Sequence, residues 1–125
     1  MDDQNIKKSV TLAKLKKIAH SFADEREWHQ FHTPKNLSMA ISIEAAELME
    51  LFMWENGLSE KILSEKKEAI EHEVADILLA LLLFCNNAHI DLEAAFEKKM
   101  EINRAKYPVE KSKGKSAKYT EYHKA

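Results

Sequence analysis

The sequence predicts an all-α protein, a four-helix bundle that assembles into an oligomer through its central helices. Three observations predict it. The 125 residues include only two Gly and two Pro, the residues least compatible with helix interiors. Ala, Leu, Glu and Lys are abundant, and apolar residues recur at helical spacing. The stretches between these periodic segments are short and carry cap and turn residues. A chain of this length can bury one core without disulfides. The expected organisation is a bundle domain over 1–108 followed by a Lys/Ser/Tyr-rich basic tail over 109–125.

Helix one is expected from about Val10 to Arg26, with Leu12, Leu15, Ala19 and Phe22 on one stripe. Glu27 to Leu37 reads as a loop, because His29, His32, Thr33, Pro34 and Asn36 break the period. Ser38 is the expected N-cap of helix two, which stops before Gly57. Ser59 or Ser64 would cap the next segment, and helix three then runs to about Ala88. Residues 78–85 are apolar nearly all round, more than one bundle face needs, which points to burial in a subunit interface. Asp91 is the expected cap of helix four, which ends before Tyr107-Pro108.

Composition removes several function classes. The net charge is −2, so no broad basic surface invites duplex nucleic acid. Met1 to Val10 lacks the apolar core of a secretory signal, and the run Ile77 to Cys85 is too short for a bilayer. A cytoplasmic protein without a membrane partner is the expectation. The single cysteine, Cys85, sits in that apolar run and reads as a small buried hydrophobe.

Two acidic pairs carry the functional argument: Glu44-x-x-Glu47 and Glu73-x-x-Asp76. An i, i+3 pair places two carboxylates on one helix face. Glu44 projects between Leu48 and Leu51, within an apolar arc; Glu73 lies amid Ala69, Ile70, Ile77 and Ala80. Asp76 also points to the expected core side, with Glu47 at its margin. Two like charges 4 Å apart repel by about 4 kcal/mol at an effective dielectric of 20, and desolvation adds to that cost. Mg²⁺ removes the conflict, since it takes carboxylate oxygens and keeps coordination positions for a phosphate. A single Glu-x-x-Glu is usually a solvated helix face; two such pairs directed into apolar arcs are not.

Helix four supplies the second anomaly. Lys99 and Asn103 stand at i, i+4 on its expected core face and need partners, either the carboxylates or a triphosphate held on the metal. Between Arg26 and Asn36, Trp28, Phe31, His32 and Lys35 could form a lip that stacks on a base, with Trp54 across from it. The plain alternative is a loop pinned by a buried Trp. None of the six His residues follows a Glu by three positions, so the Glu-x-x-His of di-iron bundles is absent, and no His metal spacing is evident. No Gly-rich phosphate cradle occurs either.

With these residues in place, the chain resembles the MazG-like all-α nucleoside triphosphate pyrophosphohydrolases, and within them the dCTP pyrophosphatase branch. The family motif, ExxE then ExxD, stands here as Glu44-Ala-Ala-Glu47 and Glu73-Val-Ala-Asp76. The branch resemblance runs through Phe22-Ala-Asp-Glu-Arg-Glu-Trp28, Gln30-Phe31-His32, Pro34-Lys-Asn-Leu37, Glu47-Leu-Met-Glu-Leu-Phe52 and Trp54. It continues through Lys99-Met100, Asn103-Arg104, Tyr107-Pro108 and Lys118-Tyr119-Thr120. The resemblance implies that Glu44, Glu47, Glu73 and Asp76 bind Mg²⁺ and that a nucleoside triphosphate is split between its α and β phosphates. It implies base enclosure by Trp28 and Trp54, phosphate contacts from Lys99 and Asn103, and a dimer or tetramer. Two positions depart from the branch. Ala80 stands where dCTP-preferring relatives carry a tyrosine, and Ala19 where they carry a histidine, with His20 adjacent. Glu47 is the expected general base, because its edge position leaves it open to solvent. Related bundles that act on dUTP or phosphoribosyl-ATP remain alternatives, as does a non-catalytic helical adaptor.

Overall fold

The computed structural model describes residues 9–55 and 60–122. Every regular element among them is helical: α1 Leu12–Glu25, a 3₁₀ turn Trp28–Phe31, α2 Pro34–Glu50, α3 Glu60–Glu65, α4 Lys67–Ala88, α5 Leu92–Lys106, α6 Val109–Ser112 and α7 Tyr119–Tyr122. They fall into two compact units, one through Ile90 and one from Asp91 onward. The all-α expectation holds. The long helices of the first unit are α1, α2 and α4, while α5 belongs to the second.

The helix starts follow from side-chain chemistry. Thr11 caps α1 by accepting a hydrogen bond from the Lys14 amide at 3.2 Å. α2 begins at Pro34, earlier than the Ser38 expected from sequence. Proline at the first helical position sacrifices an N–H that has no intrahelical partner, and it holds Thr33 extended, which is N-cap geometry. The Thr33 hydroxyl accepts from the Asn36 amide at 3.1 Å. Pro34 thus opens a helix where the sequence reading had a loop.

α2 also ends sooner than expected, at Glu50, and residues 51–54 form turns. Gly57 and Ser59, the expected stop and cap, lie outside the described residues. Ser64 is inside α3, and Lys66 takes the N-cap position of α4 without a side-chain cap. Its ammonium instead donates to the Leu51 carbonyl at 3.2 Å, joining the end of α2 to the start of α4. Asp91 caps α5 as expected, accepting from the Ala94 amide at 3.0 Å.

In the first unit α4 is the central element. It packs most extensively on α2 and also on α1 and α3. The buried apolar residues are Ala19 and Ala23 of α1, Leu37 of α2, Ile62 of α3, and Ala80, Leu82, Leu83 and Cys85 of α4. Many are small, so helices approach closely where they meet. Two long-range amide bonds fix the end of α4: Asn86 donates to the Lys16 carbonyl and Asn87 to the His32 carbonyl, each at 2.9 Å. Ile18, Ile43, Val74 and Leu78 remain exposed. No helix among the described residues is long and apolar enough to cross a membrane.

Candidate metal centre

The packing of α2 on α4 brings Glu44, Glu47 and Glu73 together, with one oxygen from each lying within 4.8 Å of the others. Glu44 and Glu73 are half-buried, and Glu47 is the most open of the three. One oxygen of Glu44 and one of Glu73 are buried without any hydrogen-bond partner. A buried carboxylate oxygen is rarely left unmatched. Two of them, on facing helices, are atoms that a cation could satisfy.

The electrostatics agree with the geometry. Burial, then hydrogen bonding with Glu47, then the charges of Glu47, Asp76 and Glu73 push the Glu44 carboxyl up to about 7. Burial also raises Glu73, followed by Glu47, Asp76 and Glu50. Without a cation the cluster retains protons that ordinary carboxylates have already lost at neutral pH. A hard divalent ion supplies the missing charge, and an all-carboxylate donor set suits Mg²⁺ or a similar oxygen-seeking ion. The residues present fit such a group.

Asp76 departs from expectation. It is exposed, not on the core side, and lines an apolar groove of about 370 Å³ beside Leu15, Phe22 and Leu79. Position 76 falls where α4 and the α1 residues Leu15 and Phe22 together line this groove. Asp76 lies outside the three-oxygen group but close enough for its charge to raise both Glu44 and Glu73.

Trp28, His32, Trp54 and Ala80 of the first unit, and Lys99 and Asn103 of the second, are the other expected site residues. Trp28 is 41% exposed, not buried, and sets its ring edge against Phe22 at 5.5 Å between centroids. His32 lies 6.4 Å from Trp28, and its imidazole is lowered by burial and by neighbouring His29. Trp54 is 91% exposed with a positive φ of 70°, so within one chain it encloses nothing. Ala80 is 6% exposed. It is one of the buried residues of α4. Lys99 and Asn103 stand one turn apart on α5 in the second unit.

Sequence spacing missed two features. Asn86 and Asn87 anchor α1 and the 3₁₀ turn, although an Asn pair in an apolar helix was a visible signal. The other is a second donor group: His20, Asp24 and His29 each offer a ligand atom within 4.8 Å of the others. The i, i+4 spacing of His20 and Asp24 could have shown part of it. His29 arrives through the turn that follows α1.

Comparison with known proteins agrees with this arrangement. Residues 39–122 match the MazG-like family. The chain is 37% identical over 114 residues to dCTP pyrophosphatase 1 of Rattus norvegicus, spanning 89% of this chain and 67% of that protein. It is 36% identical over 118 residues to dCTP pyrophosphatase 1 of Homo sapiens, with the same coverages. Among solved structures, a pyrophosphatase from Archaeoglobus fulgidus superposes with a TM-score of 0.75 at 42% identity, covering 80% of this chain and 94% of that one.

Proposed function

We propose that this chain, which belongs to the MazG-like family, is a Mg²⁺-dependent enzyme that converts a deoxynucleoside triphosphate, dCTP or a close analogue, to the monophosphate and pyrophosphate. The coarser statement needs no proposal: it is a nucleoside triphosphate pyrophosphatase. The observation that supports the metal dependence is the pair of orphaned carboxylate oxygens on Glu44 and Glu73, beside Glu47; the dCTP reading is supported by the likeness to dCTP pyrophosphatase 1.

Glu44, Glu47 and Glu73 would hold the ion, with Asp76 as the fourth carboxylate. Mg²⁺, when bound, offsets phosphate charge and polarises the phosphoryl oxygens. Glu47, the most open of the group, accepts the proton of the attacking water, which adds to phosphorus as the α–β anhydride bond breaks. Trp28, His32 and Trp54 form the nucleoside end, Ala80 borders it, and Lys99 and Asn103 contact phosphate. Trp54 projects into solvent in one chain, and Ile18, Ile43, Val74 and Leu78 are uncovered. Both facts support a homo-oligomer, dimer or tetramer, in which these apolar side chains are covered and Trp54 gains a pocket.

The test is pyrophosphate release from dCTP, 5-substituted dCTP, dUTP, dTTP and dATP, with Mg²⁺ and with EDTA. Mg²⁺-dependent release that is fastest from cytosine nucleotides is the expected result. Equal rates across bases would remove the dCTP assignment, and EDTA-insensitive turnover would remove the metal assignment.

A further inference from the structure

The His20, Asp24 and His29 group lies apart from the carboxylate centre in composition, exposure and supporting elements. His20 and Asp24 occupy one face of α1, and His29 sits on the 3₁₀ turn that follows. The His20 and His29 rings stack with centroids 4.6 Å apart and 28° between their planes. His29 Nε2 stands 3.6 Å from Asp24 Oδ1. All three residues are exposed, so an ion can reach them. Two side-chain hydrogen bonds hold the segments that carry them. Asn86 holds the α1 backbone at Lys16, and Asn87 holds the turn at His32. A cavity of about 70 Å³ lies against the group, lined by His20, His29, His32, Leu83, Asn86 and Asn87.

We propose that His20, Asp24 and His29 form a binding site for a borderline divalent transition metal of the Zn²⁺ or Ni²⁺ class. Two imidazoles and one carboxylate are a donor set that such ions prefer over Mg²⁺. The carboxylate disfavours an anion, which separates this site from a phosphate subsite. Binding needs one nitrogen from each ring at about 2.0–2.1 Å from the ion. That requires the stacked rings to turn about their Cβ–Cγ bonds, which the exposure of all three side chains permits. Three protein donors leave coordination positions for water. The alternative is a plain Asp24–His29 ion pair with His20 stacked beside it, a contact worth little at a surface. The inference does not depend on the pyrophosphatase reading, since its test measures no turnover.

Zn²⁺ is titrated into the full chain in excess Mg²⁺, and each histidine is followed in imidazole ¹H–¹⁵N correlation spectra. The expected result is a saturating change in His20 and His29 at one equivalent, with His72 and His89 unmoved. Asp24→Asn should weaken the interaction by more than roughly tenfold, and His20→Ala should remove saturation, with helical circular dichroism unchanged. A shift shared by all exposed histidines would overturn the proposal. So would unchanged binding in both His20→Ala and His29→Ala, or zinc binding that disappears in Glu73→Gln while surviving His20→Ala.

Discussion

The carboxylate group between α2 and α4 and the imidazole-bearing group at the end of α1 are both three-donor clusters in the same unit, yet they are built differently. The first is half-buried, leaves two oxygens without partners, and raises the carboxyls of Glu44 and Glu73. The second is exposed, and its atoms already contact one another through the 3.6 Å approach of His29 to Asp24 and a ring stack. The first is therefore strained without a cation and the second is not. Burial turns an acidic cluster into a demand for charge compensation; exposure lets water meet the same need.

The largest expected effect breaks the buried cluster. Glu44→Gln or Glu73→Gln should lower kcat for pyrophosphate release by at least about two orders of magnitude, the scale set by losing one preorganised electrostatic contact. The same changes should leave the metal-free protein as stable as before or more stable, because they remove repulsion. Near-normal turnover combined with a lower melting temperature would reverse the assignment from functional to structural.

A pH series separates the two clusters next. In the metal-free folded state Glu44 keeps its proton up to about 7, whereas its ordinary value is 4.5. Between those values the folded chain binds more protons than the unfolded one, so stability falls as pH rises through that window. Mg²⁺ competes with the proton, and its affinity should increase as pH climbs toward and past 7. Thermal melts with and without Mg²⁺ should diverge with rising pH, and melts that stay parallel would contradict competition between the ion and the Glu44 proton.

Asn87→Ala tests the frame around the exposed cluster. It removes a part-buried bond to the His32 carbonyl, for an expected loss of about 1–3 kcal/mol in denaturant unfolding. Ala80→Tyr is expected to cost about 1–3 kcal/mol as well, through overpacking at a buried position. Sharper discrimination between dCTP and dTTP in that variant would show that position 80 borders the base despite its burial. The smallest effect belongs to Asp24→Asn, whose unfolding free energy should stay within about 0.5 kcal/mol of the parent. A larger loss would mean that the ion pair is structural.

Much of this was legible in the residues themselves. Helix type followed from the scarcity of Gly and Pro, and Asp91 announced its helix through cap chemistry. The convergence of Glu44 with Glu73 followed from carboxylates placed within apolar arcs. What failed did so for local reasons. Pro34 breaks the apolar period in the sequence yet occupies a first-turn position, where its missing N–H costs nothing. Asp76 is exposed instead of on the core side, because a helix surface can change neighbours within one turn, yet its charge still reaches Glu44 and Glu73. The His20–His29 meeting depends on a residue with φ of 55° at Glu27, a left-handed conformation that periodicity does not encode.

Cys85 has a practical consequence. It is the chain's single cysteine, it is 3% exposed, and burial raises its thiol. Thiolate is the form that reacts with maleimides and spin labels, so the parent protein should be nearly silent to such reagents at neutral pH. A cysteine introduced at an exposed position such as Met49 or Phe96 would then be the dominant reactive thiol without first deleting the natural one. Labels placed one in each unit would form a ruler across the Ile90–Asp91 junction, reading how the separation between the carboxylate helices and α5 responds to nucleotide.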